Sequence, residues 1–125
     1  MNINWVSIKR EHAMKSDVSI HFTTRGDVAM ISFSSGTMGV KFGHKKKIAL
    51  GFDENCSRMY FLPNDTEGYT VHATNGGKGS IQVQTKRIDG YLSGKVRTSS
   101  LLGDYQIRRD DEAKAWFISI GALTR

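Results

Sequence analysis

The sequence holds one cysteine, Cys56, and one proline, Pro63, in 125 residues. A lone cysteine closes no disulfide within the chain, so any core must hold without a covalent staple, and the thiol fits a reducing compartment. A single domain of this length buries enough apolar surface to do so. No run approaches the roughly 18 apolar residues that span a bilayer. The opening MNINWVSIKREHAMK has no apolar segment of the kind a secretory signal needs. The expectation is a cytoplasmic protein with no membrane span. Acidic side chains are the scarcer sign, 12 Asp/Glu against 18 Lys/Arg, for a formal charge of +6. Such a surplus draws polyanions, nucleic acid among them.

Signatures of chemistry are missing too. The four histidines, His12, His21, His44 and His72, are dispersed, with no HxxxH or CxxC spacing to hold a metal. The glycines form neither GxxxxGK[ST] nor GxGxxG, and no serine sits in a GxSxG elbow. Carboxylates gather in two turn segments, Asp53-Glu54 and Asp110-Asp111-Glu112, where turn geometry favours them. No nucleophile–base pair is visible. The chain is expected to be no enzyme and to need no cofactor or metal.

What is present is alternation of period two. Ile48, Leu50 and Phe52 alternate with Ala49 and Gly51, Asp53-Glu54-Asn55 turn, and Met59-Tyr60-Phe61-Leu62 return. That is a β-hairpin whose second arm, apolar on both faces, belongs in the middle of a sheet. Pro63 is expected to stop it, since proline donates to no ladder. A second hairpin lies in Tyr105–Ile120, with its turn at Asp110-Asp111-Glu112. Strands are also expected at Ile3–Ile8, Val18–Phe22, Val28–Phe33, Tyr69–His72 and Ser80–Gln84, with Val28–Phe33 central because both its faces are apolar. Met38, Val40 and Phe42 alternate as a short strand would, inside a glycine-punctuated, irregular stretch, Ser34–Lys47. Thr85–Leu92 is the best helix: Thr85 serves as its cap, and Ile88, Tyr91 and Leu92 fall at i, i+3 and i+4. The fold class is therefore mostly β with one short helix, two hairpin units forming a small barrel or sandwich. The units can be laid over one another as an internal pseudo-repeat, 28–63 and 80–120, whose hairpins superpose at an offset of 57, setting Asp53 on Asp110 and Met59-Tyr60-Phe61 on Trp116-Phe117-Ile118. The alternative is two ordinary hairpins that converge on one pattern, since short apolar strands recur by chance.

The segments IQVQTKRIDGYLSG…SSLLGDYQIRRDDEAKAWFISI and ISFSSGTMG…KKIALGFDENCSRMYFLP run strand, short helix or loop, strand, acidic turn, strand. This order resembles the swapped-hairpin AbrB/SpoVT/MazE family. In that family two such units, usually from two chains, interlace into one small barrel, so the resemblance implies that this chain supplies both units. The first copy departs from the pattern in having three glycines where an apolar helix belongs, and the family's proline-led hinge is absent. No DNA-contact residue is carried over. In length, β pattern and lack of a catalytic motif the chain is also similar to small phage and prophage accessory proteins.

Two functions of different class follow. The first is nucleic-acid binding, double-stranded DNA rather than RNA, without chemistry. Its contacts would be His44, Lys45, Lys46 and Lys47 in the first unit and Lys86, Arg87, Lys95, Arg97, Arg108 and Arg109 in the second. The loop His44–Lys47 reads equally as a solvated guard that keeps a strand edge from pairing with other chains. The second is a protein-binding inhibitor or anti-defence factor that blocks a host enzyme complex through an exposed aromatic face, with Trp5, Tyr69 and Tyr91 as candidates. Open strand edges point to a homodimer, or to a monomer whose halves mimic one.

Overall fold

The computed structural model describes residues 16–23, 25–73, 76–92 and 101–120. The expected strand Ile3–Ile8, Trp5, His12, Lys95 and Arg97 lie outside these residues. Within them the chain runs β1 (Val18–Phe22), β2 (Val28–Phe33), a π-helical turn (Thr37–Lys41), β3 (Lys47–Phe52), β4 (Arg58–Asn64), β5 (Tyr69–Thr70), β6 (His72–Ala73), β7 (Gly79–Gln84), α1 (Thr85–Leu92), β8 (Gly103–Tyr105), β9 (Arg108–Asp110) and β10 (Ala115–Ser119). They form two antiparallel five-stranded sheets, ordered β6-β7-β2-β1-β8 and β5-β3-β4-β10-β9. β2 and β4, the runs apolar on both faces, are the middle strands of their sheets.

Alternation sets which side chains meet. Ala29, Ile31 and Phe33 of β2 point inward, as do Met59 and Phe61 of β4. Phe33 meets Phe42 and Phe61 edge-on, with ring centroids 5.1 and 5.3 Å away. Such contacts contribute about 0.5–1.5 kcal/mol each beyond the buried area. Both sheets and both helical segments feed this one cluster.

Two segments change sheets. Tyr69–Thr70 pairs with β3, then after Val71 the chain pairs with β7 through His72–Ala73. Likewise Gly103–Tyr105 pairs with β1, and after Gln106-Ile107 the chain pairs with β10 through Arg108–Asp110. The ladders lapse at both corners, so the architecture is a small sandwich and not a closed barrel.

Two local expectations are corrected. Met38–Phe42 is no strand: the Phe42 N–H donates to Thr37 O at 2.9 Å and the Met38 N–H to Ser34 O at 2.9 Å. Met38 and Phe42, four apart, both enter the core, while Val40 between them is 85% exposed. Helical spacing explains that pattern, and strand alternation does not. Pro63 also lies inside β4, opposite Ile48. β10 begins at Ala115, one residue before Trp116, which faces Phe61. Among the described residues no strand therefore reaches Pro63 from that side, and the proline interrupts no ladder there.

Strand pairing across the halves has a regular register. In the β4–β10 pair Tyr60 faces Phe117, Met59 faces Ile118 and Phe61 faces Trp116. In the β2–β7 pair Ile31 faces Ile81, and the buried residues are Ala29, Ile31 and Phe33 against Gly79, Ile81 and Val83, with Ser80 buried on the other face.

After β4 the chain turns on Asn64, whose Oδ1 accepts from the Thr66 and Glu67 N–H groups at 2.9 and 2.6 Å. Gly68 then passes against β3 at φ +109°, where a Cβ would lie 2.4 Å from Ile48 O. Neither the backbone angle nor the space admits a side chain. Gly68→Ala is expected to cost at least about 2 kcal/mol, measured as a lowered denaturant midpoint. An unchanged midpoint would show that this approach is not a constraint.

Candidate functional site

The basic loop after the π-helical turn is held open to solvent. Gly43 and His44 both adopt positive φ, +61° and +53°. The His44 ring lies beside Gly39, where a Cβ would come 3.2 Å from Nε2. The Val71 N–H donates to Lys46 O at 2.9 Å, which ties the loop to the β5–β6 corner. Between loop and corner lies a pocket of about 320 Å³. His44, Lys45, Lys46 and Lys78 line it, together with Met38, Val71 and Ala73. Three lysines and an imidazole therefore stand around a floor of methyl groups and a thioether. Lys45 Nζ meets Asp65 at 3.4 Å, with both side chains about half exposed. The Lys46 N–H, then the Lys45 charge, hold the Asp65 carboxyl below its usual value. Exposed pairs of this kind are weak and exchange readily for another anion.

The other proposed contacts are elsewhere. Lys47 is half-buried in β3 and does not line the pocket. Lys86 and Arg87 are exposed on the first turn of α1, and Arg87 lies near the Tyr69 hydroxyl. Tyr69 and Tyr91, candidates for a protein-binding face, share a hydroxyl–hydroxyl hydrogen bond of 3.0 Å. Arg108 and Arg109 stand on the edge strand β9 and alternate to opposite sides of it. The Arg109 guanidinium lies 5.2 Å from the Trp116 ring centroid, Lys41 Nζ lies 6.0 Å from it, and Asp111 sits 3.7 Å from Arg109. β5 and β9 are opposite edges of one sheet, so four strand spacings of about 4.8 Å put the two basic groups roughly 19 Å apart. They form two sites and not one.

The outer face of this sheet carries a different chemistry. Ala49 and Gly51 of β3, Leu62 of β4 and Ala115 of β10 floor a shallow trough of about 310 Å³ beside Tyr60. Phe117 is covered by Tyr60 and by the Arg58 guanidinium, 4.2 Å from its ring centroid. Asp110 holds the Tyr60 hydroxyl at 2.9 Å and Arg58 at 3.4 Å. Among the described residues no group of three or more His, Cys, Asp or Glu is placed to hold a metal, and no helix is long and apolar enough to cross a membrane.

Sequence reading missed Lys78 and the apolar floor. The single lysine in Gly77-Lys78-Gly79 was the available signal; the floor exists only once the β5–β6 corner is built. The described residues hold twelve Lys/Arg and eleven Asp/Glu, a net of +1, so five of the chain's six surplus positive charges belong to residues 1–15, 93–100 and 121–125. No protein-family model, curated protein or solved structure matches the chain.

Asp53 and Asp110 anchor the two acidic turns. Burial works to raise the Asp53 carboxyl, but the Ser57 hydroxyl and the Arg58 and Ser57 N–H groups outweigh it and hold it below the usual value. The Ala113 N–H, then the Tyr60 hydroxyl, do the same for Asp110. With folded values depressed, this stabilisation is complete above the unfolded value near 3.8 and is lost as pH falls through the folded one. Asp53→Asn is expected to be less stable at neutral pH and to lose less on acidification below about pH 4. Parallel acid limbs for variant and parent in chemical denaturation would contradict this.

Proposed function

We propose that the protein binds nucleic acid, without catalysing a reaction on it, at the lysine-rimmed pocket between His44–Lys46 and the β5–β6 corner. The convergence of Lys78 with His44, Lys45 and Lys46 on one concavity carries this reading. Cations that share a pocket hold one phosphate together, which a solvated loop guarding an edge has no need to do. The edges here are already blunted another way, since β5, β6, β8 and β9 are two or three residues long. Lys86, Arg87, Arg108 and Arg109 add positive potential at a distance, and Lys95 and Arg97 add to the chain's charge. The pairing of β2 with β7 and of β4 with β10 supports a two-unit chain of the swapped-hairpin kind, working in the cytoplasm as a small accessory protein.

The outer trough at Ala49, Gly51, Leu62 and Ala115 favours a second reading, a protein-binding inhibitor. Leu62 there is 48% exposed beside Tyr60, and aromatic and apolar anchors with arginine at hand are what protein interfaces use.

The test is a binding titration with nucleic acid at 50 and 200 mM salt, comparing the parent with Lys45, Lys46 and Lys78 changed together to alanine. Three phosphate contacts give a slope of about −2 to −3 in log K against log salt, a loss of roughly 20- to 40-fold between these conditions. The triple variant is expected to bind weakly and with most of that slope gone. Absence of binding by the parent at 50 mM, or an unchanged slope in the variant, would move the protein-binding reading ahead. Asp65→Asn, which removes the resident partner of Lys45, is expected to tighten binding a few-fold in the same assay. Equal or weaker binding by that variant would take Lys45 out of the site.

A further inference from the structure

We infer that the pocket at the β5–β6 corner takes one unpaired nucleotide, its phosphate on the lysine rim and its base on the apolar floor. The inference rests on the nucleic-acid reading and narrows it to the chemistry of the ligand. Phosphate alone does not explain the pocket. An oxyanion gains nothing from Met38, Val71 and Ala73, and desolvating it against methyl groups is costly. A duplex does not explain it either, because its bases are stacked and paired and do not reach an apolar floor. An acidic peptide would use the lysines and leave the floor empty.

A base with its own phosphate uses both. Its flat apolar face covers methyl groups and the polarizable Met38 sulfur, which favours aromatic neighbours. Its phosphate reaches Lys45, Lys46 or Lys78 at the rim. A volume of about 320 Å³ is near the lower limit of small-molecule sites, roughly 300 Å³, and suits one nucleotide better than a pair. The floor is also built in place. A Cβ on Gly79 would come 2.9 Å from Val71 Cγ1 and 3.0 Å from Met38 Sδ, so these side chains sit where they do because residue 79 has none. The same chemistry arises from a free nucleoside monophosphate or from an unpaired position in a strand.

Fluorescence anisotropy separates the cases. The probes are a labelled single-stranded 12-mer and a blunt duplex of the same sequence, with thymidine 5′-monophosphate and polyglutamate as competitors. Single strand is expected to bind at least about tenfold tighter than duplex, in line with base-stacking contributions per nucleotide. Ala73→Leu, which fills the pocket from an exposed position on β6, is expected to abolish that preference and to leave the salt slope in place. Displacement by the monophosphate at the concentration that saturates a single site marks a free nucleotide as the ligand. Displacement only at far higher concentration marks a position within a strand. Both outcomes support the inference.

Duplex bound as tightly as single strand overturns it and leaves the nucleic-acid reading standing. No binding of either probe at 50 mM salt overturns both. Displacement by polyglutamate as effective as by the monophosphate assigns the pocket to acidic peptides and overturns the inference. A measurement without variants guards against misfolding of Ala73→Leu. The methyl resonances of Met38, Val71 and Ala73 are expected to shift when thymidine monophosphate is added and to stay in place with inorganic phosphate. Equal shifts with both, or none with either, overturn the inference.

Discussion

Each sheet is built across the middle of the chain. β2 lies against β7 and β4 against β10, so the central ladder of either sheet joins an early strand to a late one. An early half alone would expose the edges of β2 and β4, the middle strands of the two sheets, and a late half alone would expose β7 and β10. Short hairpins without a partner are marginal in water. Burial of Phe33, Phe42 and Phe61 depends on that joining, because the rings come from β2, the loop after the π-helical turn and β4 and are closed over by Ile81 and Ile118 from the later strands. Pairings so distant in sequence form late, since loop closure must be met before they stabilise anything.

The register gives this joining a geometry. At an offset of 57, Met59, Tyr60 and Phe61 correspond to Trp116, Phe117 and Ile118, and in the structure Met59 faces Ile118 while Phe61 faces Trp116. Any antiparallel pair centred on Tyr60 and Phe117 makes this exchange. The β2–β7 pair has the same character about Ile31 and Ile81, at an offset of 50. The seven-residue difference falls between the strands, where the first half has the five-residue π-helical turn and the second has the eight-residue α1 and a longer connection. Both hairpin turns hang on an aspartate, Asp53 and Asp110, each accepting two backbone N–H bonds.

Much of this was legible because it rests on period two. Val28–Phe33 and Met59–Leu62 announced central strands by being apolar on both faces, and Thr85–Leu92 announced a helix by its spacing. Met38–Phe42 misled because a five-residue stretch with apolar residues at alternate positions fits either period; only the exposure of Val40 decides it. Pro63 misled because its tolerance depends on where β10 begins, a fact of the neighbouring strand. The breaks at Val71 and at Gln106-Ile107 had no signal, since a strand that changes partners keeps its alternation. The candidate site suffered most from this. His44, Lys45 and Lys46 are contiguous and were visible, whereas Lys78 and the floor join them only through the corner.

The two corners meet the same backbone need with groups of different charge. At the β8–β9 corner the interrupted ladder is closed by a carboxylate: the Ile107 N–H donates to Asp17 Oδ2 at 2.9 Å, and the Asp17 N–H returns a bond to Tyr105 O at 3.0 Å. That corner carries a carboxylate. At the β5–β6 corner the exposed N–H of Val71 is met by a backbone carbonyl, that of Lys46. A carbonyl satisfies the donor without adding a charge, and the residue that supplies it brings its own ammonium. The same backbone problem, an N–H freed where a strand changes sheets, is thus solved once with an acid and once with the main chain of a lysine. With the described residues so nearly neutral, that local choice, more than the overall charge, sets the sign of charge at each corner.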